Sequence, residues 1–257
     1  MELLGALAAF GLAMITAPAG VSGAVFLLPV QVSLLGVPSP AVTPTNLLYN
    51  VVATPGALLR FWRTGQLRTP LSRVLLLGTL PGVVLGAVLR VTVLDEPRTF
   101  LVVIACVLVP LGSWLVLRRG PAGAPANEPP LPRWLVPVAL AVGVIGGVYG
   151  IGGGSILAPV LLAVGFSIAS VSGAALLATF VTSVAGIATY EVLALVLTGP
   201  DPIGPRWTLG LALGAGGLAG SYLGARLQPY VPEVVLRRLL GVLAVLIGAR
   251  YLWQALA

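Results

Sequence analysis

Apolar residues run along this chain in long uninterrupted blocks, approximately 3–37, 41–59, 74–94, 99–117, 134–166, 168–198, 207–227 and 234–256. A helix needs about 20 such residues to cross roughly 30 Å of hydrocarbon. The blocks are continuous and not alternating, so they predict helices, not the strands of a barrel. Two of them, 3–37 and 134–166, are too long for one crossing, since at about 1.5 Å per residue each would span roughly 50 Å. Each is broken near its centre: Pro18-Ala19-Gly20-Val21-Ser22-Gly23 in the first, Gly150-Ile151-Gly152-Gly153-Gly154-Ser155 in the second. Glycine at this density does not hold a regular helix. Each overlong block therefore reads as two half-helices meeting in mid-membrane.

Composition agrees. Hydrophobic residues make up 58% of the 257 and charged residues only 8%, against about 25% in soluble domains. The mean hydropathy is +1.07. The expected class is an all-α integral membrane protein, multi-pass, with the lipid bilayer as its first partner. The net charge of +7 is carried by fourteen arginines and no lysine. They sit mostly at the ends of apolar blocks, where they mark orientation and not nucleic acid binding. The single cysteine, Cys106, supports neither a disulfide framework nor a metal cluster. Met1 and Glu2 precede the first apolar block without a basic segment, so that block reads as a membrane element and not as a removed signal peptide.

Residues 118–133, rich in Pro, Ala and Gly, look like the one flexible linker. They divide the chain into a first transmembrane repeat (1–120), a linker (121–133) and a second repeat (134–257). Gly20 to Val30 matches Gly150 to Val160 at an offset of 130, and Val42 to Leu48 matches Val171 to Leu177. Pro81-Gly82-Val83-Val84-Leu85-Gly86 aligns with Ala215-Gly216-Gly217-Leu218-Ala219-Gly220. Repeats of this kind are common in secondary transporters. If each broken block is a hairpin, each half adds three spans to it and the halves are inverted. If each broken block crosses once, the halves are parallel. With the loop of Arg60, Arg63, Arg68 and Arg73 placed inside, the inverted arrangement also puts Arg118, Arg119, Arg133, Arg226, Arg237 and Arg238 inside. That is ten against four (Arg90, Arg98, Arg206, Arg250), whereas the parallel one gives nine against five. The positive-inside bias favours inversion by this small margin.

The chain has no His, no paired intramembrane carboxylates and no phosphate-binding loop, so neither an enzyme nor an ATPase is expected, and no cofactor or metal is implied. The glycine breaks are the candidate chemistry. A half-helix that begins inside the membrane carries about half a positive charge and free amides at its N-terminus, which together attract an anion without Lys or Arg. Gly20, Ser22 and Gly23, with Gly152, Gly153, Gly154 and Ser155, are the candidate residues at the breaks. The span after each break adds Asn46 and Asn50, four apart on one helix face, and Thr179 and Ser183 at the positions matching Asn50 and Thr54. Close helix packing is the competing reading of the glycines, and interhelical hydrogen bonding that of the asparagines. Gln31 and Tyr149 are weaker candidates. Glu191 aligns with Trp62 beside Arg60 and Arg63, which places it near an interface. Pro29 and Pro159 occupy matched positions and read as kink points. A hydrated centre around Ser22, Asn46 and Asn50 would favour transport; dry helix contacts there would favour a scaffold.

The segment 150–160, Gly-Ile-Gly-Gly-Gly-Ser-Ile-Leu-Ala-Pro-Val, resembles the signature of the TauE/SafE family of sulfite exporters. Gly20 to Pro29, Thr45-Asn46-Leu47-Leu48 and Gly216 to Gly224 are similar to the same pattern, and the likeness covers nearly the whole chain. The first break departs from it, with fewer glycines than the family usually shows. The resemblance implies an inner-membrane permease for a small sulfur-containing anion such as sulfite or an organosulfonate. The runners-up are a carrier or channel for other small organic anions and a non-transporting membrane scaffold. Its small-residue faces would allow a homodimer.

Overall fold

The computed structural model describes residues 2–37, 41–67, 69–93, 97–117, 130–197 and 203–256. The linker stretch 118–129, with Arg118 and Arg119, lies outside them, as do Arg68 and the side chains of Pro29, Arg98 and Arg237. Ten α-helices and no strand occur among the described residues. They are α1 (Glu2–Thr16), α2 (Ala24–Ser33), α3 (Val42–Arg63), α4 (Pro70–Thr92), α5 (Pro97–Leu117), α6 (Leu135–Tyr149), α7 (Gly153–Val164), α8 (Ile168–Val196), α9 (Trp207–Leu227) and α10 (Glu233–Leu256). Three stretches, Glu2–Ala19, Pro70–Thr92 and Ile168–Val196, are long and apolar enough to cross a membrane on their own. Both overlong blocks are broken where glycine predicts it.

The breaks use glycine's freedom to take positive φ. Gly20 (φ 77°) closes a short 3-10 turn over Ala17–Ala19, and its match Gly150 (φ 70°) ends α6. The first break turns the chain back on itself. A Cβ on Gly5, in the first turn of α1, would stand 3.4 Å from Leu35 just beyond α2, and one on Gly23 would stand 3.3 Å from the Ala13 amide. Helices α1 and α2 are thus the two arms of a hairpin and not one crossing. In the second break Gly146 lies against Gly152 and Gly153, and α6 packs on α7.

Glycine ladders set the helix directions. Gly216, Gly220 and Gly224 of α9 lie in turn against the carbonyls of Ala6, Phe10 and Met14, so α9 and α1 run the same way. Gly210, Gly214 and Gly217 meet Leu48, Val52 and Ala53, which aligns α3 with them. Across the bundle, Gly78, Gly82 and Gly86 of α4 meet Val136, Leu140 and Val144 of α6, so these two are also parallel. Helix α8 runs with α4: Gly186 meets Val83, and Leu177 shares a groove with Ser72. It runs against α3, since Gly186 also meets Leu47 while Gly173 meets Gln66. One set of three helices (α1, α3, α9) therefore points opposite to the other (α6, α8, α4). Helices α5 and α10 pair antiparallel, with Gly112 against Gly241 and Gly248 against Val109.

These contacts correct one alignment. The sequence pairs Gly82 with Gly216, but Gly82 touches Leu140 and Gly220 touches Phe10, and Phe10 and Leu140 are 130 apart like the matched breaks. Gly82 corresponds to Gly220 and Gly86 to Gly224, an offset of 138. Arg90, counted on the outer side in the inverted arrangement, is fully buried, at 0% exposure.

A Cβ on Gly220 would stand 2.1 Å from the Phe10 carbonyl oxygen, while Gly11 has open space around it. Gly220→Ala is expected to lose about 1–3 kcal/mol through overpacking, and Gly11→Ala to be neutral or better. Thermal unfolding of the detergent-purified protein, followed by size-exclusion fluorescence, separates the two.

Candidate functional site

The half-helices α2 and α7 begin beside one another. The Ser22 amide, two residues before α2, donates to the Ser155 hydroxyl in the first turn of α7 at 3.2 Å. Two positive helix ends therefore meet inside the bundle, each with about half a charge. The oxygens between them come from side chains. Ser22 Oγ donates to Asn50 Oδ1 and also accepts from the Ala24 amide at 3.2 Å. Ser155 and Thr179 hydroxyls pair at 3.2 Å, and the Gly153 amide donates to Thr182 Oγ1 at 3.1 Å. Asn50 Nδ2 reaches back to the Gly150 carbonyl at 3.3 Å. Ser22, Asn50, Ser155 and Thr179 are at most 4% exposed.

The candidate residues thus divide. Ser22, Asn50, Ser155 and Thr179 form one linked cluster with the amides of the breaks. Asn46 belongs to another: it accepts from Gln31 Nε2 at 2.8 Å and donates to the Ala24 carbonyl at 3.0 Å. Ser183 is buried, and its hydroxyl has no hydrogen-bond partner among the described residues. Gly20 and Gly152 are spacers: a Cβ on Gly20 would stand 2.7 Å from Ser172 Cα, and one on Gly152 2.7 Å from Thr179. Gly154 is the tightest, its Cβ position 1.8 Å from the Ala175 carbonyl oxygen, and Gly23 lies against the Tyr49 hydroxyl. Pro159 is buried beside Ser155 and Ile156, along a cavity that also touches Val21 and Val25.

The centre is closed. The cavity over Val21, Ser155 and Pro159 is about 30 Å³ and nearly all apolar, and that beside Ser22, Tyr49 and Thr54 is about 10 Å³. A single water needs about 10–15 Å³ of this kind, so neither holds an oxyanion. The amides expected to be free are taken by the hydroxyls of Ser155 and Thr182. The breaks therefore converge on a cluster of side-chain oxygens with little free volume in these two cavities.

The sequence model of the sulfite exporter TauE/SafE family matches residues 5–251. The chain belongs to that family. Among curated proteins, none matches it. TauE/SafE proteins are membrane transporters, which supports the transport reading, whereas the dry contacts around Ser22, Asn46 and Asn50 alone would favour the scaffold. Among the described residues of this TauE/SafE chain, no three of His, Cys, Asp and Glu come together in a way that could hold a metal.

The structure brings four more residues to the breaks; sequence reasoning named two of them, Thr43 and Ser172, only as members of the polar spans, and did not name Gln228 or Tyr190. The Ser172 hydroxyl donates to the Pro18 carbonyl at 2.8 Å, and the Thr43 hydroxyl to Val148 at 3.1 Å. The pairs are equivalent, since Ser172 matches Thr43 and Val148 matches Pro18. Gln228 Nε2 donates to Pro18 at 2.6 Å, and Tyr190 to the Gly147 carbonyl at 3.0 Å. The signal available for them was the internal alignment, in which polar residues recur at 43 and 172.

Interhelical hydrogen bonds within membranes average about 0.6 kcal/mol. Ser155→Ala is therefore expected to fold, with a melting temperature lowered by a few degrees. Gly154→Ala drives a methyl into a carbonyl and is expected to give no monodisperse protein. Comparing the two by size-exclusion profile and thermal melt checks the assignment of one as site and the other as packing.

Proposed function

We propose that this TauE/SafE protein carries a small anion with a sulfite or sulfonate group across the cell's inner membrane by alternating access. The observation that carries the reading is the meeting of two half-helix N-termini at Ser22 and Ser155. Like partial charges face each other there, in an apolar interior where they are poorly screened. An anion between them converts repulsion into attraction and accepts the amide hydrogen bonds that the serine and threonine oxygens now take. Ser22, Asn50, Ser155 and Thr179 would bind it directly. Ser183 and Asn46 would join once the halves part, and Gly20, Gly23, Gly152, Gly153 and Gly154 let the backbone approach.

The transporter would comprise two inverted repeats, 1–120 and 134–257 with a linker between, each a broken hairpin and three spans. The opposed directions of α1 and α6, α3 and α8, and α4 and α9 support this arrangement. In it, one half rocks against the other around a central site, and the closed centre described above is an occluded state. Its partners would be the anion and the bilayer, without nucleic acid, and a second copy of the chain would find small-residue faces to pack on.

A thermal-shift series on purified protein with sulfite, sulfate, thiosulfate, sulfoacetate, taurine and acetate tests the reading. Saturating a single site at about 100 times its dissociation constant adds about 2.7 kcal/mol of stability. We expect that gain for sulfite or sulfoacetate, and its loss in Asn50→Ala and Ser155→Ala. No stabilisation by any of the six, or full stabilisation in both variants, would return the glycines to packing alone.

A further inference from the structure

Arg90 and Gln228 hold equivalent places in the two halves. The offset of 138 that joins Gly82 to Gly220 and Gly86 to Gly224 also joins Ala87 to Ala225 and Arg90 to Gln228. Because α4 and α9 run in opposite directions, their last turns lie at opposite faces of the bundle. At one face Gln228 Nε2 donates to both the Pro18 carbonyl (2.6 Å) and the Ser172 hydroxyl (2.8 Å), tying the first break to α8. At the other, Thr43 and Tyr190 hold the carbonyls of Val148 and Gly147. Arg90 is fully buried there, with its charge acting on Tyr190.

The surroundings match as well. Phe61, Leu176 and Ala225 form one small buried cluster, and Tyr190, Leu47 and Ala87 form the other, each residue the counterpart of the one named in the same order. On the Gln228 side a groove of about 340 Å³, lined by Gln66, Ser167 and Gln228, opens to the outside. Behind Gln228 lie Ser172 and the first break. The equivalent position thus carries a neutral side chain at one face and a buried cation at the other. A charge fully buried in a membrane bundle is costly and marks a pathway more often than a packing site.

We infer that Gln228 and Arg90 are the latches of two gates, one at each face, and that the arginine makes its gate the one that recognises the anion. The inference rests on the transport reading, but its first test does not. In a Cys106→Ser background, reporter thiols are placed one turn before each latch by Ala87→Cys or Ala225→Cys, positions that are almost fully buried. A membrane-impermeant maleimide then reads gate opening in vesicles containing the full chain. Arg90→Ala should raise labelling several-fold at position 87 and leave 225 unchanged, and Gln228→Ala should do the reverse.

Unchanged labelling at 87 in Arg90→Ala overturns the latch, and so does a rise at both positions in either variant, which signals a loosened bundle. For recognition, Arg90→Gln copies the neutral latch and should keep labelling low. It should raise the half-saturating sulfite concentration for uptake by about tenfold, the loss of one charge-assisted hydrogen bond, while Arg90→Lys stays closer to wild type. A wild-type concentration dependence in Arg90→Gln overturns the recognition role. If the unmodified protein moves no sulfite, the transport reading and the recognition role fall together, and the labelling result still decides the latches.

Discussion

A helix that stops inside a bilayer leaves its last carbonyls and the next helix's first amides without water to satisfy them. Everything else in this bundle depends on how those groups are met. At the first break the Pro18 carbonyl is met by Ser172 and Gln228, and at the second the Val148 and Gly147 carbonyls are met by Thr43 and Tyr190. None of these donors lies in the same broken hairpin as its acceptor. Except for Tyr190, each is supplied by the opposite half of the chain. The amides are met by Ser155 and Thr182, again at the point where two half-helices converge. Backbone satisfaction therefore obliges the halves to interlock, and the interlocked surfaces form the proposed site.

Close approach is the second requirement, and it accounts for many of the 33 glycines. Side-chain hydroxyls are short, so donors on α3 and α8 reach the breaks only if backbones come nearly into contact. Gly20 against Ser172 and Gly150 against Thr43 achieve this on both sides. The ladders on α4 and α9 do the same along whole helices. Space not used by one side chain is filled by another from elsewhere. Tyr49 fills the gap beside Gly23 and Gly217, whereas in the other half Thr79 fills the gap beside Gly153, and Ala178 stands where Tyr49 would.

Much of this was legible in the sequence. The breaks and the polar residues of α3 and α8 follow from block length, glycine density and internal matching, while the hairpin form was favoured only by the distribution of arginines. Two features were not. The register of α4 against α9 was read one turn off, because glycines spaced by four fit two alignments almost equally well and only contacts distinguish them. The full burial of Arg90 was not foreseen, because an arginine near the end of an apolar block usually snorkels to water. Whether a charge near a helix end turns outward or inward depends on neighbours from the other half, which a linear pattern does not contain. The closed centre was equally hidden, since conformational state is a property of packing and not of residue type.

The ladder of α1 on α9 has a consequence for how the molecule is made. Helix α1 rests its backbone on Gly216, Gly220 and Gly224, which are synthesised much later than it is. Until then the N-terminal hairpin has neither its packing partner nor Ser172 and Gln228 to cover its exposed carbonyls. Biogenesis must therefore shelter an incomplete helix pair, in lipid or in the insertion machinery, until α9 is made. Loss of α9 would damage α1 before the helices that lie nearer to it in sequence.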